Sequence, residues 1–133
     1  MVKMPEEVRE IFNDWSASKA VATADVEGKL NVVPIKAFSV VDEETLAFGD
    51  MFLGKTKANL EATQKVAVTA FRGSKGYQVK GTFQEFLTAG PIFEEMKGAV
   101  KEKLKLDAKS AVILKVEEVY SVSPGPNAGK KLV

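Results

Sequence analysis

Hydrophobic and polar residues change period along the chain, and the period is the first structural signal. Near the amino end Val8, Ile11, Phe12 and Trp15 fall at i, i+3, i+4 and i+7. That is one stripe of an amphipathic helix, opened by Pro5 with Glu6 and Glu7 at its positive end. The stripe makes Trp15 a core anchor rather than a stacking platform. The period then shortens to two. Residues 20–25 and 30–35 flank a glycine turn at Gly28 and read as a hairpin. Pro34 lacks an N–H, so its strand belongs at an edge or carries a bulge there. Residues 37–41 continue extended, Asp42-Glu43-Glu44 turns the chain, and residues 45–48 form a short strand.

The second half repeats the theme. A short helix is expected over 55–62, then strands over 65–71 and 77–86 joined by a turn through Gly73 and Gly76. Gly90-Pro91 opens a helix through about residue 103, with Ile92, Phe93, Met96 and Val100 on one side. A last strand begins at Ser110 and runs through Val116 toward Val122, followed by a proline- and glycine-rich tail from Pro124. Six or seven strands with tight turns and two or three short helices predict a mainly β fold. An antiparallel barrel fits this order better than a parallel βαβ sheet.

Composition narrows the chemistry. The 133 residues fit a single domain spanning 1–133, with a real but modest core. Nineteen Lys and Arg against 18 Asp and Glu leave a formal charge of +1. No polybasic field is present to draw in nucleic acid or an anionic membrane, so any anion site must be local. Cysteine and histidine are both absent, which removes disulfides, thiolate chemistry, the commonest transition-metal ligands and the commonest general base. A carboxylate site for magnesium stays open. No apolar run approaches the roughly 20 residues of a membrane span, and no secretory leader is visible. The expected compartment is cytoplasmic.

One motif carries chemistry by itself. Gly49-Asp50-Met51-Phe52-Leu53-Gly54-Lys55-Thr56 spells G-x-x-x-x-G-K-T between a predicted strand and a predicted helix, the letters of a phosphate-binding P-loop. Against a nucleotide hydrolase stand three strands placed before the loop and antiparallel patterning after it. Met51, Phe52 and Leu53 are also bulky where a backbone nest favours small residues. The phosphate itself remains attractive: Lys55 supplies charge, Thr56 a hydroxyl, and the following helix its free N–H groups.

Several segments together resemble the flavin-binding split-barrel family of pyridoxamine 5'-phosphate oxidase and its small FMN-binding relatives. Asn31-Val-Val-Pro-Ile-Lys36 is similar to the oxidase strand R-x-V-L-L-K, with Asn31 in the arginine's place. Gly54-Lys55-Thr56 looks like the family's phosphate run, and Tyr77-Gln78-Val79-Lys80 like its R-Q-V-R strand. Gly90-Pro-Ile-Phe-Glu-Glu95 and the ending around Val119–Lys130 also look like the small members.

The resemblance implies an antiparallel split β-barrel binding FMN, with the isoalloxazine along Val33, Pro34, Ile35 and Lys36. It implies Gly49, Asp50 and Met51 on the other approach and Lys55 and Thr56 at the phosphate. Asp50 equally suits the cap of a turn. Family members hold the flavin at a homodimer interface, so Gln78 would reach it from the partner subunit. The implied activity is hydride or electron transfer through bound FMN with an unidentified redox partner or substrate. True pyridoxamine phosphate oxidation is not expected, because the chain is short, has no histidine and lacks the arginine-bearing tail segment. A P-loop hydrolase, or a barrel holding a deazaflavin, haem or another ligand, are the alternatives.

Overall fold

A computed structural model describes residues 2–133. Ten elements follow in order: α1 (Glu6–Asn13), β1 (Ser18–Ala24), β2 (Leu30–Pro34), β3 (Phe38–Asp42), β4 (Thr45–Asp50), α2 (Lys55–Thr63), β5 (Lys65–Arg72), β6 (Lys75–Leu87), α3 (Pro91–Leu104) and β7 (Ser110–Ser121). All seven strands join one antiparallel sheet in the order β2-β1-β5-β6-β7-β4-β3. Its two edges, β2 and β3, are consecutive in the chain and separated only by residues 35–37. A sheet whose edges are tied by so short a link must curl upon itself, and the result is a split barrel. Gly49 N–H donates to the Ala37 carbonyl at 2.9 Å, fastening β4 to that link.

Curvature is built into β6, which pairs with both β5 and β7 and shifts register between Lys80 and Gly81 and again between Phe83 and Glu85. At the first shift β7 comes so close that a Cβ on Gly81 would stand 2.3 Å from the Lys115 carbonyl oxygen. Only glycine allows that approach.

The barrel interior is filled from β1, β4, β5, β6 and β7 and closed at one end by α1, with Val8, Ile11 and Phe12 buried. Phe12, Phe38 and Phe48 form a chain of tilted rings with 5.4 Å between successive centroids. Trp15 is not in that stripe. The helix ends at Asn13, so Trp15 lies in the following turn, half-buried against a second cluster and beneath the Lys103 ammonium.

That second cluster explains why β4 and the first half of β7 are apolar throughout instead of alternating. Leu46, Phe48, Val112 and Leu114 point into the barrel, while Ala47, Ala111 and Ile113 meet Phe93, Met96 and Val100 of α3. Strands covered on both faces lose the period-two signal. By contrast β1 and β5 alternate strictly, because their outer face is uncovered. Pro34 does lie on an edge strand, and residues 129–132 of the tail fold back to hydrogen-bond β7 near Val119–Ser121.

Candidate functional site

A cleft of about 590 Å³ opens between β2, the link after it, the β4–α2 loop and the end of α3. Its lining includes Val33, Pro34, Ile35, Lys36, Gly49, Met51, Lys55 and Thr56, eight of the ten residues singled out in the sequence. The remaining two lie elsewhere. Asp50 is buried, and its carboxylate accepts the Leu53 N–H at 3.3 Å and the Ser110 hydroxyl at 3.4 Å. These bonds fit the turn-cap role open to Asp50 from the sequence. Gln78 sits mid-β6 beside Thr69 and Tyr120, on the outer face of the sheet and outside this protomer's cleft.

The cleft lining combines polar and apolar groups. Helix α2 begins at Gly54, which offers no side-chain cap, and the first helical hydrogen bond is made by Ala58 N–H to Gly54 C=O. The N–H groups of Lys55, Thr56 and Lys57 therefore have no partner among the described residues, as the start of any helix dictates. Lys55 is exposed beside them and Thr56 is 2% exposed. Asn31, which sequence reasoning had noted only as a lost arginine, donates from Nδ2 to Thr56 Oγ1 at 3.1 Å.

The lining also includes apolar Met51, Phe52, Leu53, Leu104 and Leu106. Phe52 is 80% exposed at the rim. Leu104 and Leu106 flank Lys105, whose positive φ ends α3 and reverses the chain. The two leucines and Phe52 were not anticipated, since loop and helix-end positions carry no periodic signal. Gly49 lies on the wall as well. A Cβ there would come within 3.0 Å of Met51 Sδ and 3.3 Å of Ala37 Cβ, so glycine allows those side chains to pack close to β4.

Behind the wall formed by residues 34–36 lies a buried lysine. Lys19 is 4% exposed; its ammonium donates to the Asp14 carbonyl at 2.5 Å and the Lys36 carbonyl at 3.4 Å. Burial pushes its pKa down to about 8, with Asp14 opposing that shift and Lys36 adding to it. Asp14 in turn is held down to about 2, chiefly by hydrogen bonds from Ser16 and then by the Arg72 guanidinium. Lys36 Nζ donates to the Trp15 carbonyl at 3.3 Å, so the corner is fastened from both sides.

The P-loop letters fall on a different architecture from that of a nucleotide hydrolase. Gly49 and Asp50 end a strand that is antiparallel to both neighbours, and Asp42 accepts the Glu44 N–H in a hairpin turn. No cluster of three acidic side chains able to hold a metal exists among the described residues.

Comparison with known proteins agrees with this geometry. The family model described as pyridoxamine 5'-phosphate oxidase matches residues 4–123. An uncharacterised protein of Methanocaldococcus jannaschii is 36% identical across 98% of this chain and 88% of its own. In structure, an FMN-binding protein from Syntrophomonas wolfei superposes with a TM-score of 0.83 at 21% identity, covering 89% of this chain and 85% of that one. The heme storage protein HutZ of Vibrio cholerae superposes with a TM-score of 0.59 at 14% identity, covering 91% and 95%. At such identities the two structures establish the shared fold and leave the ligand to be argued from this chain's residues.

Proposed function

The chain belongs to the pyridoxamine 5'-phosphate oxidase family, and on that premise we propose that it is an FMN-binding flavoprotein that transfers hydride or electrons as a homodimer. The observation that carries the reading is the donor set gathered at the start of α2 in the cleft lining. The start of α2 offers three free helix N–H groups, the Lys55 ammonium and the Thr56 hydroxyl, a donor set suited to a phosphate monoester. The same cleft is lined by the Val33–Lys36 segment and Gly49, which on this reading border the isoalloxazine. FMN, when bound, supplies the redox chemistry; the protein binds, orients and shields it.

Haem is the less suitable occupant, because the chain has no histidine or cysteine to serve as axial ligand. Oxidation of a phosphorylated pyridoxamine is also disfavoured. A second phosphate calls for further cationic donors, and the two arginines that could supply them are engaged elsewhere. Arg9 donates to the Met4 carbonyl and Arg72 pairs with Asp14.

The uncovered outer face of β2, β1, β5 and β6 supports the homodimer. Leu30 and Val32 are 86% and 67% exposed there. The register lines them up with Ala24 and Ala22, then with Ala67, and Pro34 with Ala20 and Thr69. A flat surface of small apolar groups suits a second copy. Pro34 belongs both to this face and to the cleft, so a subunit packed here borders the flavin. Gln78, on the same face next to Thr69, is the residue we assign to the partner's cofactor.

Absorption spectroscopy of the purified protein, followed by titration with FMN and light scattering, tests the proposal. A two-band yellow flavin spectrum, stoichiometric quenching of FMN fluorescence and a dimeric mass are expected. An intense haem band, or no FMN binding at micromolar protein, overturns the cofactor assignment. A monomeric mass overturns the role of Gln78.

A further inference from the structure

The groups that would touch a phosphate are themselves held by a two-point polar clamp. Asn31 on β2 and Thr23 on β1 are cross-strand partners, and Thr56 and Asn59 lie three residues apart on α2, hence on one face. Asn31 Nδ2 donates to Thr56 Oγ1, and Asn59 Nδ2 donates to Thr23 Oγ1, each at 3.1 Å. A threonine hydroxyl has one proton and two acceptor sites. At Thr56 an acceptor site is taken by Asn31, and the proton is given to no protein acceptor among the described residues. Because Thr56 lines the cleft, that proton has only the cleft to serve.

The charge inventory at the start of α2 is short. Lys57 holds its ammonium over the Phe86 ring at 5.2 Å, and Lys36 donates to the Trp15 carbonyl. Lys55 is thus the one lysine at the start of α2 without such an engagement among the described residues.

We infer that Asn31 is a positioning and specificity residue for the phosphate. By donating to Thr56 it turns the single threonine proton toward the ester, so the site reads phosphate through oriented neutral donors and one lysine. The inference rests on the FMN reading above and deepens it. The amide is essential to the device. A carboxylate at position 31 has no proton to give, so it would accept the Thr56 proton itself and set a negative charge beside the phosphate.

Dissociation constants for FMN and riboflavin, which lacks the phosphate, test this on the wild-type protein, Asn31→Asp, Asn31→Leu, Thr56→Val and the Asn31→Leu/Thr56→Val double variant. Wild type should prefer FMN. Asn31→Asp should weaken FMN binding by about tenfold or more and Asn31→Leu by several-fold, while riboflavin binding changes by less than about twofold. In the double variant the Leu substitution should add nothing to the loss caused by Thr56→Val. Equal losses for both ligands, or losses that add in the double variant, overturn the inference while leaving the FMN assignment standing. Wild-type binding that does not distinguish FMN from riboflavin overturns the phosphate site itself.

Discussion

Helices α1 and α2 are nearly equal in length but attach to the barrel by opposite means. In α1 three apolar side chains, Val8, Ile11 and Phe12, are sunk in the core, and its polar face points to solvent. In α2 Leu60 is the only buried apolar side chain, and Thr56 and Asn59 are buried with it. Directional bonds do the rest: Asn31 to Thr56, Asn59 to Thr23, and Thr63 Oγ1 to the Ala24 carbonyl at 3.0 Å. Apolar packing tolerates small shifts, whereas hydrogen bonds fix distance and angle. A helix whose first turn must meet a ligand is better held by the second kind of contact, and α2 is the helix whose start opens on the cleft.

Mutation should separate the two attachments. Phe12→Ala removes a fully buried ring from the chain Phe12–Phe38–Phe48 and should cost about 3–5 kcal/mol of stability. Denaturant unfolding measures that loss, and affinity for FMN at temperatures where the variant stays folded should be unchanged. Lys55→Ala should do the reverse. FMN binding should weaken by about 1.5–3 kcal/mol through loss of a charged hydrogen bond, with the thermal midpoint of the ligand-free protein unmoved because Lys55 is exposed. Unaltered flavin retention would remove Lys55 from the site.

Asn59→Leu lies between these cases. It leaves the buried Thr23 hydroxyl without its donor, at a cost of about 1–3 kcal/mol, and it should weaken FMN as well, because the clamp on α2 loses one of its two points. Thr23→Val in the same background should restore part of the stability but not the affinity; recovery of both would mean that the pair is merely structural.

The smallest effect is expected from pH at Lys19, which ties the turn after α1 to the cleft corner. Its folded pKa of about 8 lies below the ordinary lysine value of 10.5. Between these values the unfolded chain binds more protons than the folded one, so stability should rise with pH from about 8 to 10.5. Lys19→Met should flatten that rise. Asp14 has the matching acid limb: its folded pKa of about 2 is below 3.8, so its contribution is lost as pH falls through that window, and Asp14→Asn should remove it.

The same contrast explains what was legible. The stripe of α1 could be read up to Phe12 and failed at Trp15, because Asn13 ends the helix and periodicity cannot show where a helix stops. Apolar stretches bounded by turns revealed β1 and β5, and alternation revealed β6. Glycine and proline marked the turns at Gly28 and Gly73 and the edge position of Pro34. In the cleft, Lys55, Thr56 and the Val33–Lys36 segment were visible because motif letters and neighbouring turns are local. Phe52, Leu104 and Leu106 were invisible, because they come from a loop and a helix end with no pattern of their own. The strand was read only to Phe48, whereas β4 runs on to Asp50, whose carboxylate direction no sequence spacing gives.

By itself the sequence determined the strand and helix content, the absence of histidine and cysteine chemistry, and the local strand–loop–helix that can hold an anion. These depend on residues close in the chain. Tertiary structure alone decided that β2 and β3 close the barrel as its edges, that Asn31 reaches Thr56 across 25 positions, and that Lys19 is buried behind the Lys36 corner. Such contacts are set by how a curled sheet brings distant segments together, and no short-range pattern encodes them.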